Sequence, residues 1–221
     1  MLLAAGSGSR VGADRNKVLL TVQGLPVLAH SLRTVGRVGG VAGLVVVARA
    51  GEEDAVSELA ARHSSVPWQV VTGGATRHDS EWSALQALAG PIDGGDLDVV
   101  AVHDSARPLA GPDLWRAVVA AALRHGGAIP VRPQPGLLAR SGDSHEVLDL
   151  VGVQTPQAFR ARPLLAAYRR AAADGFVGTD TAACVARYSD LPSAAVTAPA
   201  TNLKVTFAED VALAERLLSS P

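Results

Sequence analysis

Short apolar, β-branched runs alternate along this chain with stretches of helical period. Leu44 to Val47 (LVVV), Trp68 to Val71 and Val99 to Val102 (VVAV) are read as buried strands, being too short for helices and rich in β-branched residues. Between and after them, Leu25 to Val35, Glu52 to Arg62, Ser80 to Leu88 and Leu114 to Arg124 carry apolar residues at helical spacing with charges between, which predicts amphipathic helices. Pro26 suits the first turn of its helix, and Gly126-Gly127 suits the end of the Leu114 helix. The opening strand spans only Leu2 to Ala4, against a usual length of about five or six residues. Either the strand is trimmed or the true start lies upstream of Met1. Beyond Pro130-Val131 the pattern breaks: Pro133, Pro135 and Gly136 interrupt regular structure and Ser141 to Ser144 reads as a hairpin tip, so an excursion from the core is expected here. Helical text resumes at Pro163 to Ala173, a strand is expected within Asn202 to Thr206, and Ala208 to Leu218 closes the chain as an amphipathic helix. Strand and helix in alternation predict an α/β fold, a doubly wound and mostly parallel Rossmann-like sheet, with residues 1–221 in a single domain.

Composition narrows the function classes. With 221 residues, 48% of them hydrophobic, the chain can bury one sizeable core. Lys plus Arg number 20 against 21 for Asp plus Glu, so no overall field draws it to nucleic acid or to a membrane surface, and any anion must be held by a local cluster. Aromatic residues are only 4% and form no basic–aromatic stripe of the kind that stacks on single-stranded bases. No apolar run reaches the roughly 18 residues of a membrane span. The lone Cys184 rules out an internal disulfide or a thiolate zinc cage, and no signal-like leader precedes the first strand, so a cytoplasmic enzyme is expected.

Three clusters carry candidate chemistry. Ala4-Ala5-Gly6-Ser7-Gly8-Ser9-Arg10 is a small-residue loop directly after a strand, where backbone N–H groups can close on phosphate oxygens while Arg10 adds charge. It lacks the Walker pattern, and Gly12 falls one place late for GxGxxG. Lys17 follows seven residues after Arg10 and is one of only two lysines in the chain, the other being Lys204. The second cluster, Gly73 to Ser80 (GGATRHDS), lies where a strand ends and a helix begins, the place where open α/β sheets bind ligands; helix capping by Asp79 or Ser80 is the structural alternative. The third, Val102 to Pro108 (VHDSARP), puts Asp104 after a strand as a hard ligand suited to magnesium, with pairing to Arg107 as the alternative. His103 is given no catalytic task, the other histidines lack metal-ligand spacing, and Cys184 is read as a small buried hydrophobe.

In order and spacing, these clusters resemble one family over nearly the whole chain, the 2-C-methyl-D-erythritol 4-phosphate cytidylyltransferases. LAAGSGSR with Lys17 resembles the family's PAAGxGxR loop and its lysine, GGATRHDS its GGxxRxxS, and VHDSARP its VHDAARP. Further on, Gln154 to Gln157 resembles its QTPQ, Thr179-Asp180 its TD, and Asn202 to Thr206 its NIKVT. The resemblance implies a nucleotidyltransferase fold and a direct displacement in which an acceptor phosphate attacks the α-phosphorus of CTP and pyrophosphate leaves. It implies that Arg10, Lys17 and Lys204 act as the catalytic cations. Ala4, Ala5, Gly6, Gly8, Gly74, Arg77, Ser80, Asp104 and Ser105 would hold the nucleotide, with Asp104 at a Mg2+ ion. Arg107, Thr155, Thr179 and Asp180 would serve the acceptor, and residues 132–150 would form a β-hairpin arm that makes the protein a homodimer.

The departures concentrate in that arm. Where the family has PVxDTxK this chain has Pro130-Val131-Arg132-Pro133-Gln134-Pro135-Gly136, and Val147 stands where the family's phosphate-gripping arginine is found. Arg132 or Arg140 could take its place. Val18 and Asn16 also differ from the family's pattern around the lysine. A lost charged contact to phosphate is worth about 2 to 3 kcal/mol, so CMP transfer is the firmer expectation and methylerythritol phosphate as acceptor the next. Two alternatives stay open: a paralogue acting on another phosphorylated alditol, such as ribitol 5-phosphate, or on a phosphonate, and a nucleotide-binding homologue without turnover.

Overall fold

A computed structural model of the protein describes residues 1–6, 16–134 and 150–219. Ten strands and eight α-helices follow one another as β1 (Leu2–Leu3), β2 (Thr21–Val22), β3 (Leu25–Pro26), α1 (Val27–Val35), β4 (Leu44–Ala48), α2 (Glu53–His63), β5 (Trp68–Thr72), α3 (Arg77–Ala87), α4 (Ala89–Gly94), β6 (Val99–Asp104), α5 (Pro112–His125), β7 (Gly127–Pro133), β8 (Val151–Val153), β9 (Gln157–Arg160), α6 (Ala161–Asp174), α7 (Thr181–Tyr188), β10 (Ser193–Thr197) and α8 (Ala208–Ser219) among the described residues. β2 and β3 pair as a separate small hairpin. The other strands form one sheet in the order β10-β7-β9-β6-β1-β4-β5, with β8 paired to β7.

The half of the sheet that runs β6-β1-β4-β5 is parallel throughout. Its apolar text explains why: LVVVA in β4 is buried along its whole length, and period-two alternation sends its side chains to both faces. Leu44, Val46 and Ala48 enter one core with Leu28 and Leu32 of α1 and Trp115 and Val118 of α5. Val45 and Val47 enter a second with Leu85 of α3, Ile92 of α4 and Leu164, Leu165 and Tyr168 of α6. Helices therefore cover both faces, as a doubly wound sheet requires.

The chain steps from β1 outward to β4 and β5, then returns to place β6 on the other side of β1. That reversal opens a crevice at the carboxyl ends of β1 and β6. β9 runs antiparallel between β6 and β7, so the sheet is mixed in its second half.

Several expectations shift. The helix expected from Leu25 starts at Val27, because Leu25 and Pro26 pair with Thr21 and Val22. The helix expected from Ser80 starts at Arg77: Thr76 caps it, its hydroxyl accepting from Asp79 N–H at 3.1 Å while the Asp79 carboxylate accepts from Thr76 N–H at 3.0 Å. Ser80 is thus not the cap, and Asp79 is the reciprocal partner of one. No strand forms within Asn202 to Thr206; that segment is an irregular strap held by Val205 N–H to Ala106 O and by the Asn202 side chain to Gln154 and Thr155. The first strand, Leu2–Leu3, is one residue shorter than the expected Leu2 to Ala4, though Ala4 N–H continues its line by donating to Val47 O. Of the excursion, only the stem is described: Pro133 pairs with Val151, and Gln134 N–H donates to Leu150 O. Residues 135–149 lie outside the described residues.

Candidate active site

The crevice is a cleft of about 690 Å³ walled by the segments that follow four parallel strands. Ala5 and Gly6 come from the end of β1, Arg49 and Ala50 from β4, Gly73 to Thr76 from β5, and Asp104 and Ala106 from β6; Lys17, Arg77, Ser80, Lys204 and Thr206 complete it. One wall is the first turn of α3, whose helix dipole favours an anion. Glycine is needed there for space. A Cβ on Gly73 would lie 2.6 Å from Ala5 Cβ and 2.8 Å from Ser80 Oγ, and one on Gly74 would lie 2.2 Å from Asp79 Cβ. Ser80 Oγ fastens the turn, donating to Thr76 O at 2.9 Å and accepting from Gly74 N–H at 3.2 Å.

Lys17 reaches the cleft because Asn16 pins the chain just before it. Asn16 is fully buried and caps the short 3-10 turn Lys17–Leu19. Its Nδ2 donates to Ala4 O at 2.6 Å and to the Glu52 carboxylate at 2.7 Å, tying the chain just before Lys17 to the end of β1. Asn16, a departure from the family's pattern, thus has a structural task.

At the centre, charges alternate. Asp104 accepts from Lys204 Nζ at 2.7 Å and from Arg77 Nε at 3.1 Å. Arg77 also donates through Nη1 to Glu81 at 2.7 Å. Burial by itself would raise the Asp104 carboxyl, but Arg77 and Lys204 outweigh it and hold the group well below the usual carboxylate range. The alternative partner Arg107 is corrected here: its Nη1 donates to Asn202 O at 2.8 Å, and it forms no ion pair with Asp104.

Behind Asp104 lies a buried relay. Asp104 N–H donates to Thr155 Oγ1 at 3.0 Å, and that hydroxyl lies 3.0 Å from His103 Nδ1, while His103 Nε2 lies 3.3 Å from Arg107 O. A carbonyl only accepts, so Nε2 carries the imidazole proton and Nδ1 accepts from Thr155. Burial pushes the His103 pKa down to about 3, and the ring stays neutral. This is the structural role expected of His103.

The structure thus brings together Ala5, Gly6, Lys17, Gly74, Arg77, Ser80, Asp104 and Lys204 around one cleft. Ala4 is buried beneath it. Ser105 and Thr155 are buried and do not line it, nor do Arg107, the exposed Thr179, or Asp180, which caps α7 through Ala183 N–H and accepts from Gln157. Gly8 and Arg10 fall outside the described residues. Sequence reasoning missed Arg49, although its place after the LVVVA strand is the signal that could have found it. It also missed Glu81, for which helical spacing from Arg77 was the only clue. Among the described residues no group of three His, Cys, Asp or Glu could hold a metal by itself.

The profile of the family described as 2-C-methyl-D-erythritol 4-phosphate cytidylyltransferase matches residues 1–220. A relative of that name from Symbiobacterium thermophilum is 38% identical over 221 residues, covering 97% of this chain and 90% of its own. Another, from Pelotomaculum thermopropionicum, is 36% identical and covers 100% of this chain and 93% of its own. The crystal structure of 4-diphosphocytidyl-2C-methyl-D-erythritol synthase from Anaerococcus prevotii superposes with a TM-score of 0.84 at 26% identity, covering 99% of this chain and 94% of that one. The match runs from end to end and includes the strands and loops that build the cleft, and the chain therefore belongs to the 2-C-methyl-D-erythritol 4-phosphate cytidylyltransferase family.

Proposed function

We propose that the protein transfers CMP from CTP to 2-C-methyl-D-erythritol 4-phosphate and releases pyrophosphate. The observation that carries this reading is the cleft at the switch point of the sheet, which among the described residues is lined by the cations Lys17, Arg49, Arg77 and Lys204 and by one carboxylate, Asp104. An excess of cations in a concave site suits a triphosphate. The acceptor phosphate oxygen forms a bond to the α-phosphorus as the bond to the bridging oxygen of pyrophosphate breaks. Lys17 and Lys204, with Arg10 from the glycine loop, stabilise the charge gathering on the α-phosphate oxygens. The turn at Gly73 to Arg77 and Ser80 holds the nucleotide. Asp104 suits a magnesium ion, which takes one or two carboxylates and completes its shell from phosphate oxygens and water; both Asp104 oxygens now bind cations, so one of these contacts must be exchanged. Such an ion would neutralise triphosphate charge.

The acceptor-side roles of Arg107, Thr155, Thr179 and Asp180 remain part of the proposal, with Thr155 and Arg107 acting by fixing the Asp104 and Asn202 segments. The protein acts as a homodimer through the arm at 132–150. Leu150, Val151 and Val153 on its stem are 42 to 47% exposed, and a two-fold partner is a simple way to cover them. None of the described helices is long and apolar enough to cross a membrane. A cytoplasmic enzyme without a nucleic-acid or membrane partner is proposed on the near-zero net charge and the scarcity of aromatic residues.

The test follows pyrophosphate release with CTP, Mg2+ and a panel of methylerythritol phosphate, ribitol 5-phosphate and small phosphonates. Release with methylerythritol phosphate at the highest kcat/KM is expected. Preference for another acceptor would assign the altered arm to a different substrate, and no release with any acceptor would overturn the enzymatic reading.

A further inference from the structure

The geometry points to Glu81 as a positioning residue that holds Arg77 over the cleft from the protein interior; the inference rests on the reading of this cleft as the CTP site. Glu81 lies one helical turn after Arg77 on α3 and is 1% exposed. A buried carboxylate is costly unless every lone pair is used. Here three donors meet about four acceptor sites: Oε1 accepts from Arg77 Nη1 at 2.7 Å and from the Thr181 hydroxyl, and Oε2 accepts from Tyr168 OH at 2.6 Å. Three elements, α3, α6 and α7, thereby converge on one side chain. Tyr168 is itself fixed, stacked on His78 with ring centroids 4.7 Å apart.

The consequence falls on Arg77. Its guanidinium is clamped between Glu81 inside and Asp104 at the cleft, and Asp104 in turn binds Lys204. Acid and base alternate along Glu81, Arg77, Asp104 and Lys204. With Glu81 in place, Arg77 is anchored independently of Asp104, so the Asp104 carboxylate can exchange partners when the nucleotide arrives without releasing Arg77. Without the Glu81 charge, Arg77 must lean on Asp104 alone and competes with Lys204 for it. Glu81 does not itself line the cleft, and its hydrogen-bonded link to it is Arg77.

A double-variant cycle with Glu81→Gln and Arg77→Ala tests this, read by CTP calorimetry, steady-state kinetics and thermal unfolding. Glu81→Gln keeps an oxygen for Arg77 and Thr181 and an amide that can donate to the Tyr168 oxygen, so it should fold. A loss of about tenfold in CTP affinity, with kcat changed by less than about threefold, is expected for the removed charge-assisted bond. In the Arg77→Ala background the same change should alter CTP affinity less than about twofold and should raise the melting temperature, because it removes a stranded buried charge. Should Glu81→Gln fail to fold, Glu81→Asp carries the affinity part of the cycle, since the shorter carboxylate cannot reach Arg77 and Tyr168 together; it keeps the charge, so no rise in melting temperature is expected from it in the Arg77→Ala background. Wild-type CTP affinity in Glu81→Gln, or losses that multiply in the double variant, would overturn the inference. A wild-type protein that binds no CTP would instead overturn the reading of the cleft, and the Arg77–Glu81 coupling would still be decided by whether the double variant melts above Arg77→Ala.

Discussion

Thr155→Val isolates the buried relay behind Asp104. The change swaps a hydroxyl for a methyl in a side chain that is 4% exposed. Two buried groups lose their partner at once: Asp104 N–H, 3.0 Å from Oγ1, and His103 Nδ1, also 3.0 Å away. A buried polar group left without a partner costs about 1 to 3 kcal/mol. The added methyl returns roughly 0.8 kcal/mol of burial. The expected net loss is therefore about 1 to 5 kcal/mol, which in a chain of this length lowers Tm by roughly 3 to 20 °C. Thr155→Ser keeps the hydroxyl and gives up one methyl, so it should lose about 1 kcal/mol and only a few degrees. Differential scanning calorimetry of both variants, with urea unfolding for the free energy, makes the comparison. Because the Asp104 backbone is held by this bond, turnover should fall along with stability in the Val variant and be largely kept in the Ser variant. A Val variant that melts within about 2 °C of wild type would refute the relay. If it also showed a raised acceptor KM, Thr155 would instead belong to the substrate surface.

Replacing Lys17 or Lys204 by Ala should lower kcat by orders of magnitude with modest change in CTP affinity, measured by single-turnover kinetics and calorimetry, because these cations act on transition-state charge; near-normal turnover in either variant would remove it from the mechanism. Stability should fall with pH just below neutrality. Unfolded His103 takes up a proton near pH 6.5 whereas the native ring, with its pKa lowered to about 3, does not, so the unfolded state binds more protons and stability drops by up to about 1.4 kcal/mol per pH unit below 6.5; urea midpoints that do not change between pH 6.5 and 5 would contradict a buried neutral imidazole. Gly73→Ala should cost about 1 to 3 kcal/mol and weaken CTP binding, since its Cβ would press on Ala5 and Ser80, while Gly90→Ala, whose Cβ meets nothing within 4 Å, should not destabilise. Melting curves and CTP titration of the two variants read the contrast.

What the sequence by itself determined is the set of features written locally. LVVV and VVAV read as short strands, the intervening helical periods fixed the α/β alternation, and Gly73-Gly74 and Asp104 announced themselves by lying directly after strands, where a parallel sheet opens to ligands. Even the two lysines stood out, because the chain otherwise draws its positive charge from arginine. Tertiary structure decided everything that depends on residues distant in the chain. Nothing near Glu81 reveals that Tyr168 and Thr181, 87 and 100 positions away, converge on its carboxylate. Nor does the text near Asn202 to Thr206 show that this segment declines to pair as a strand and becomes a strap, since its β-branched text satisfies local propensity while its hydrogen bonds go to Ala106, Gln154 and Thr155. β9 threads antiparallel between β6 and β7 for the same reason: strand pairing is a choice among distant partners, made by which faces can be buried together, and period-two alternation says only that a strand exists. The partner of Asp104 followed the same rule, passing from the neighbouring Arg107 to Arg77 and Lys204, 27 and 100 residues away, because only the fold brings those two cations to the end of β6.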